Sequence, residues 1–199
     1  MIPKDIPPYR FSEAQGRALL MLARRTISNK IAPAATAADD NDLDAALGDE
    51  CFQLPCGTFV TLKIEGRLRG CIGNLTSTET VLEGVRRNSI NAALHDPRFS
   101  PLSQDELRQS RIEVSILSEP RPLAHNGGQD LIKKLHPQVD GLIIRKGHAS
   151  ATFLPQVWEQ LPDPEDFLTH LCLKAGLPGD AWKNSELEVS TYQVQYFEE

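Results

Sequence analysis

Two stretches of the chain carry apolar residues at helical spacing. Ser12 opens a capping box, and apolar side chains then repeat every three or four positions, which predicts a helix over 12–28. Hydroxyl residues followed by the same period predict a second helix over 78–94, which ends before the Asp96-Pro97 step. Two later helices are predicted at Pro155 and after the Asp163-Pro164 step.

The period of the apolar positions changes to two after Gly57. Alternating side chains predict a strand there, and Glu65-Gly66-Arg67 turns the chain back into a hairpin whose second strand runs through GRLRGCIGN. Further strands are predicted over 111–118, 142–144 and 151–153, and a closing strand over 186–197.

The order of these elements indicates an α+β fold with a mainly antiparallel or mixed sheet, because regular alternation of strand and helix is missing. With 199 residues, the chain is long enough for one sizeable domain, and we expect a single domain over 1–199. An alanine- and aspartate-rich stretch over 32–50 predicts a mobile connector with a short helix near 43–47.

Composition narrows the functional class. No apolar run approaches the roughly 20 residues that span a bilayer, so we expect no membrane segment. The N-terminus lacks the apolar core of a signal peptide, which predicts a cytoplasmic protein. With 21 basic and 27 acidic residues the net charge is −6, and only 6% of residues are aromatic. Both features make a nucleic-acid partner unfavourable.

The four cysteines are too few and too irregularly spaced for a disulfide framework in a reducing compartment, so we expect free thiols. Cys51 and Cys56 have no second close pair downstream, which argues against a metal site. Nucleotide-binding, serine-hydrolase and zinc-protease motifs are missing from the sequence. We therefore expect neither a metal nor a cofactor.

The stretch GRLRGCIGN concentrates the candidate chemistry. Strict alternation would place Arg69, Cys71 and Gly73 on one face of the strand. A guanidinium close to a thiol favours the thiolate, which makes Cys71 a candidate nucleophile. Gly70 and Gly73 either clear space for a ligand or mark a bulge. The alternative is a small cysteine packed at a bulge with no chemistry.

Two other residues are candidates for moving protons. His95 lies at the predicted end of a helix, with Asp96 and Arg98 in reach; a histidine there also simply favours the helix dipole. Glu113 faces away from the apolar stripe of its strand and is either solvated or turned into a cleft.

Several segments together resemble the AMMECR domain family: GTFVTLKIEGRLRGCIGN, DPRFSPLSQDEL, RIEVSILSEP, FLPQVW and FLTHLCLKAGL, in this order. The similarity covers about 10–199, and LRGCIG corresponds to the family's signature hexapeptide. The connector over 32–50 has no clear family pattern, and 140–144 is only loosely similar.

The resemblance implies an α+β domain with two unequal lobes, a larger one from the N- and C-terminal parts and a smaller inserted one, with the signature on the cleft side of the sheet. The family supplies protein A of AmmeMemoRadiSam systems, which implies Memo-like and radical-SAM proteins as partners. It brings no established reaction.

Our leading hypothesis is a cytosolic enzyme, or a component of an enzyme system, that binds a small anionic substrate. The expected catalytic residues are Cys71, Glu113 and His95, and the expected substrate-binding residues are Arg69, Gly70, Gly73, Asn74 and Arg98. The glycine amides would act as donors to a developing oxyanion. The rival hypothesis is a binding or scaffold module in which LRGCIG is a docking surface and the thiol has no chemistry. A nucleic-acid binder ranks third.

Overall fold

The computed structural model describes residues 10–33, 41–75 and 78–199. These residues form six α-helices and eight β-strands, which confirms the α+β class. The helices are α1 (Glu13–Ile31), α2 (Asn41–Ala46), α3 (Val81–Leu94), α4 (Gln104–Gln109), α5 (Gly128–Lys134) and α6 (Pro164–Lys174). The strands are β1 (Gly57–Ile64), β2 (Arg67–Asn74), β3 (Ser110–Leu117), β4 (Arg121–Pro122), β5 (Gly141–Lys146), β6 (Ala149–Phe153), β7 (Glu188–Tyr192) and β8 (Val194–Glu198).

The strands form two four-stranded sheets. The first has the order β2-β1-β3-β8, and β1 is antiparallel to both of its neighbours. The second has the order β4-β7-β5-β6. The chain divides into two compact units: the residues up to Leu117 together with Gln195–Glu199, and Ser118–Val194.

In the first unit, α1 and α3 pack on one face of the first sheet. Ser12 and Gln15 form the predicted capping box at the start of α1. The inner face of the sheet is apolar and fully buried at Val60, Leu62, Ile112 and Val114. Because side chains alternate along a strand, the opposite face presents Phe59, Thr61 and Lys63, all half-buried. That opposite face carries the candidate chemistry.

The second unit has its own core. Trp158 stacks on Phe167 with ring centroids 3.7 Å apart, and Leu142 and Ile144 of β5 are fully buried in the same cluster. The side chain of Asp163 caps α6, as the Asp163-Pro164 step predicts. The helix predicted at Pro155 is a short 3-10 helix, Pro155–Glu159.

The structure differs from the sequence-based prediction at the C-terminus. The single closing strand predicted over 186–197 is two strands, β7 and β8, which belong to different sheets. The break falls at Gln193, whose N–H donates to Ser118 Oγ. The short helix predicted near 43–47 begins slightly earlier, as α2.

Parts of two predictions fall on residues that the structure does not describe. Residues 34–40 of the predicted connector and residues 1–9, on which the prediction about targeting mainly rests, lie outside the described ranges. Within those ranges, none of the helices combines the length and apolarity needed to cross a membrane.

Candidate functional site

Cys71 belongs to a row of three polar side chains on three adjacent strands. Thr61 of β1 is the cross-strand partner of Cys71 on β2 and of Glu113 on β3. The Thr61 hydroxyl donates a hydrogen bond to Cys71 Sγ, with an oxygen-to-sulfur distance of 3.2 Å. A thiol, a hydroxyl and a carboxyl are therefore aligned across the half-buried face of the sheet.

Glu113 is held by a lysine. Lys63 Nζ lies 2.8 Å from Glu113 Oε2, and the Glu113 side chain is only 15% exposed. The hydrogen bond to Glu113 raises the pKa of Lys63, so the ammonium form is favoured. Lys63 Nζ also lies 3.7 Å from Oε1 of Glu198 on β8. Glu113 is thus neither free in solvent nor unpaired, although it faces away from the apolar stripe as the sequence predicts.

The main chain of Cys71 is held by an ion pair from the segment after α3. β2 is an edge strand, and the Cys71 N–H points away from β1 and donates to Asp96 Oδ2 at 2.9 Å. Arg98 donates to both Asp96 oxygens, Nε at 2.9 Å and Nη2 at 2.7 Å, and Nη2 donates at 3.1 Å to the Cys71 carbonyl. Both polar groups of the Cys71 main chain are therefore satisfied by side chains.

This arrangement strongly favours an ionised Asp96. Its side chain is 2% exposed, and the hydrogen bonds from Arg98 hold its pKa well below the usual range despite burial. Arg98, which binds this carboxylate, is half-exposed, and its guanidinium also contacts the main-chain carbonyl of Cys71.

Arg69, which alternation would place beside the thiol, is directed elsewhere. Gly70 pairs with Leu62 and Leu68 pairs with Lys63, so the register shifts and Arg69 is left without a cross-strand partner. Its guanidinium binds Glu106 at 2.8 Å and the Ser100 carbonyl at 2.9 Å. Arg69 Nη1 is buried without a hydrogen-bond partner among the described residues.

The two glycines of the motif sit at close approaches. An ideal Cβ on Gly70 would lie 2.2 Å from the Ala92 carbonyl oxygen of α3. At Gly73 a Cβ would lie 2.2 Å from the Phe59 ring and 2.4 Å from the Thr58 carbonyl oxygen. Gly70 therefore lets α3 pack against β2, and Gly73 leaves room for the Phe59 ring.

The structure links Asn74 and His95 to α3 rather than to the thiol. The Asn74 side-chain oxygen accepts from Asn88 at 3.2 Å and from Arg87 at 3.0 Å. His95 is the exposed C-cap of α3, and its imidazole makes no hydrogen bond within the described ranges. Of the predicted site residues, Arg98 contacts the main chain of Cys71, together with Asp96. Glu113 lies on the same face of the sheet as Cys71 but two strands away, with Thr61 between them.

The other three thiols are in less reactive surroundings. Burial raises the pKa of Cys51 to about 11 and also raises the pKa of Cys56 and of Cys172, which is fully buried. In the described part of the chain, no three or more His, Cys, Asp or Glu side chains are grouped so that they could hold a metal ion.

Sequence reasoning missed Thr61, Lys63 and Glu106, and it treated Asp96 only as a neighbour of His95. The alternation of β1 could have found Thr61, because Phe59, Thr61 and Lys63 share the polar face of that strand. Glu106 carries a weaker signal: it is the last residue of a Ser103-to-Glu106 capping box, which predicts a helix start but not a partner for Arg69.

Because Arg69 and Glu106 form an ion pair, we expect the stability of the fold to decrease in acid. Hydrogen bonds, first from Arg69, lower the pKa of Glu106 from 4.5 to about 2. A carboxyl with a lowered pKa stabilises the fold above its ordinary pKa, and this contribution is lost as the pH falls from about 4.5 to about 2. We expect the urea concentration at the unfolding midpoint to fall as the pH is lowered across this range. Glu106→Gln should reduce the dependence of this midpoint on pH.

Arg69→Met is the matched control, since it removes the cause of the lowered pKa and keeps the carboxyl. It should reduce the pH dependence as Glu106→Gln does. Unchanged slopes in both variants would show that this ion pair contributes nothing to stability.

Comparison with known proteins identifies the family of this chain. A family model described as AMMECR1 matches residues 20–197. A protein of Methanothermobacter thermautotrophicus is 36% identical over 94% of this chain and 96% of its own length, and one of Methanosarcina mazei is 38% identical over 94% and 93%. The crystal structure of an uncharacterized protein from Pyrococcus horikoshii is similar, with a TM-score of 0.80 and 32% identity over 96% of this chain and 94% of that chain. The family model spans most of the sequence and the fold is shared, so this chain belongs to the AMMECR1 family.

Proposed function

We propose that this protein is an enzyme, or a catalytic component of an enzyme system, in which Cys71 is a nucleophile or covalent carrier. The observation that carries the proposal is the hydrogen bond from Thr61 to Cys71 Sγ, in a row that continues to Glu113. A hydroxyl that donates to sulfur stabilises negative charge on it. Cys71 is half-buried, whereas Cys172 is buried.

The chemistry that suits this row is transfer of an acyl group. The sulfur attacks a carbonyl carbon, a carbon–sulfur bond forms, and the π electron pair moves to the oxygen. Collapse of this intermediate restores the carbonyl and expels the leaving group, which leaves a thioester on Cys71. Glu113 lies two strands from Cys71, roughly 10 Å away, so the proton of the thiol passes to water before the attack and the leaving group takes up a proton from water. Glu113, held by Lys63, acts in this proposal as the base that exchanges protons with that water.

The substrate in this proposal carries an anionic group. Arg98 lies beside Cys71 with its side chain 52% exposed, whereas Arg69 is 12% exposed and bound to Glu106. Of the two arginines expected to bind substrate, Arg98 rather than Arg69 therefore has the anion-binding role in this proposal. Following the family resemblance, Memo-like and radical-SAM proteins are the proposed partners that supply or receive the group.

Selective alkylation tests the nucleophile. Iodoacetamide at neutral pH, with modified sites mapped by mass spectrometry, should label Cys71 at least about tenfold faster than Cys51, Cys56 or Cys172 in the folded protein, because the other three thiols have raised pKa values. Thr61→Val keeps the side-chain shape and removes the hydroxyl, so labelling of Cys71 should slow.

Urea-unfolded protein provides the reference, since all four thiols should then react at similar rates. A Cys71 that stays unmodified in the folded chain while it reacts fully in urea would overturn the proposal. That outcome would favour the rival hypothesis, a docking module whose thiol has no chemistry.

A further inference from the structure

The aromatic ring of Phe59 lies on the face of the sheet that carries Cys71, over Gly73. Phe59 pairs with Gly73, which lies on the same face of β2 as Cys71 and two residues further along. An ideal Cβ on Gly73 would lie 2.2 Å from Cγ and 2.4 Å from Cδ1 of the Phe59 ring. The ring therefore lies across the space that a side chain at position 73 would fill, about 7 Å along the strand from Cys71.

An aromatic ring and an ion pair thus lie on opposite sides of Cys71 along the strand direction. The Phe59 ring is half-buried on one side, and the Lys63–Glu113 ion pair lies on the other. Any side chain at position 73 would push the ring away from β2, so glycine there keeps the aromatic ring on the face of β2 that carries Cys71. An aromatic ring attracts a second aromatic group in offset or edge-to-face geometry beyond simple area burial.

We propose that the group transferred to Cys71 carries an aromatic ring next to its electrophilic carbon, and that Phe59 selects this ring by stacking. The inference rests on the proposed nucleophilic role of Cys71 and names the class of substrate for it. Phe59 is then a specificity-determining residue, with its position fixed by Gly73.

Two maleimides test the selection. In each reaction the sulfur bonds to one alkene carbon, and the π electron pair moves to the neighbouring carbon, which takes up the proton. The rate with N-phenylmaleimide is divided by the rate with N-ethylmaleimide at Cys71, mapped by mass spectrometry. We expect this ratio to be about fivefold higher in the folded protein than in the urea-unfolded chain.

Phe59→Leu and Phe59→Tyr form a matched pair. Leucine keeps an apolar side chain without a ring, so the ratio should fall to that of the unfolded chain. Tyrosine keeps the ring and should keep the raised ratio. Circular dichroism checks that both variants fold; if Phe59→Leu does not, the wild-type ratio and its retention in Phe59→Tyr decide the question.

The outcomes separate the two proposals. If Cys71 reacts rapidly with both reagents and shows no phenyl preference, the role of Phe59 is wrong and the nucleophile remains. A phenyl preference that survives in folded Phe59→Leu also overturns the role of Phe59. If Cys71 reacts with neither reagent in the folded state, the nucleophile proposal fails, and the substrate class fails with it.

Discussion

Replacing Gly70 with alanine should destabilise the protein by about 3 kcal/mol or more, or prevent folding. The new methyl group would lie 2.2 Å from the Ala92 carbonyl oxygen. The carbonyl oxygen belongs to the backbone and the methyl carbon is a Cβ, so no side-chain rotation relieves the overlap. Either α3 moves away from β2, or β2 bends where its register with β1 already shifts. Urea denaturation monitored by circular dichroism measures the loss.

Gly66→Ala is the control in the same hairpin. Gly66 has a positive φ of 75°, and no atom lies within 4 Å of its ideal Cβ position. Its replacement should therefore cost only about 1 kcal/mol, from backbone strain alone. If Gly70→Ala is as mild as Gly66→Ala, the close approach of α3 is not what requires glycine in LRGCIG.

Local pattern was sufficient to predict much of the fold. The capping box at Ser12 and the apolar period after it predict α1, because both signals lie within a few residues of each other. Alternation correctly assigns Thr61 to the polar face of β1 and Val60 to the core. The division of 186–197 into two strands was not predictable, because both segments alternate and only their partners differ.

The candidate site was less accessible to sequence reasoning, because its contacts are distant in the chain. Asp96 binds the Cys71 N–H across 25 positions, and Arg69 binds Glu106 across 37. The register shift at Arg69 adds one residue to β2, so a strict period of two assigns this side chain the wrong surroundings. A sequence pattern identifies the residue types of such a site, but pairing between strands decides which of them meet.

Asp96→Asn should destabilise the fold by about 2 to 3 kcal/mol. The buried carboxylate accepts hydrogen bonds from both Arg98 and the Cys71 main chain. An asparagine can still accept from the Cys71 N–H, but its NH₂ group then faces the guanidinium, donor against donor. Because Arg98 is half-exposed, water compensates part of this loss, which keeps the effect below that of breaking a fully buried pair.

The pH dependence of unfolding distinguishes this role from loss of packing. Asp96 has a lowered pKa. In the wild-type protein its contribution to the free energy of unfolding is therefore present above pH 3.8, the ordinary pKa of this carboxyl, and is lost as the pH falls below that value. The Asp96→Asn variant should lack this part of the acid transition. Arg98→Met and the double variant complete a cycle, in which the effects should not add, since the two side chains share hydrogen bonds. Additive effects, with the acid transition unchanged in Asp96→Asn, would mean that the ion pair does not hold Cys71 in place and that β2 alone positions the thiol.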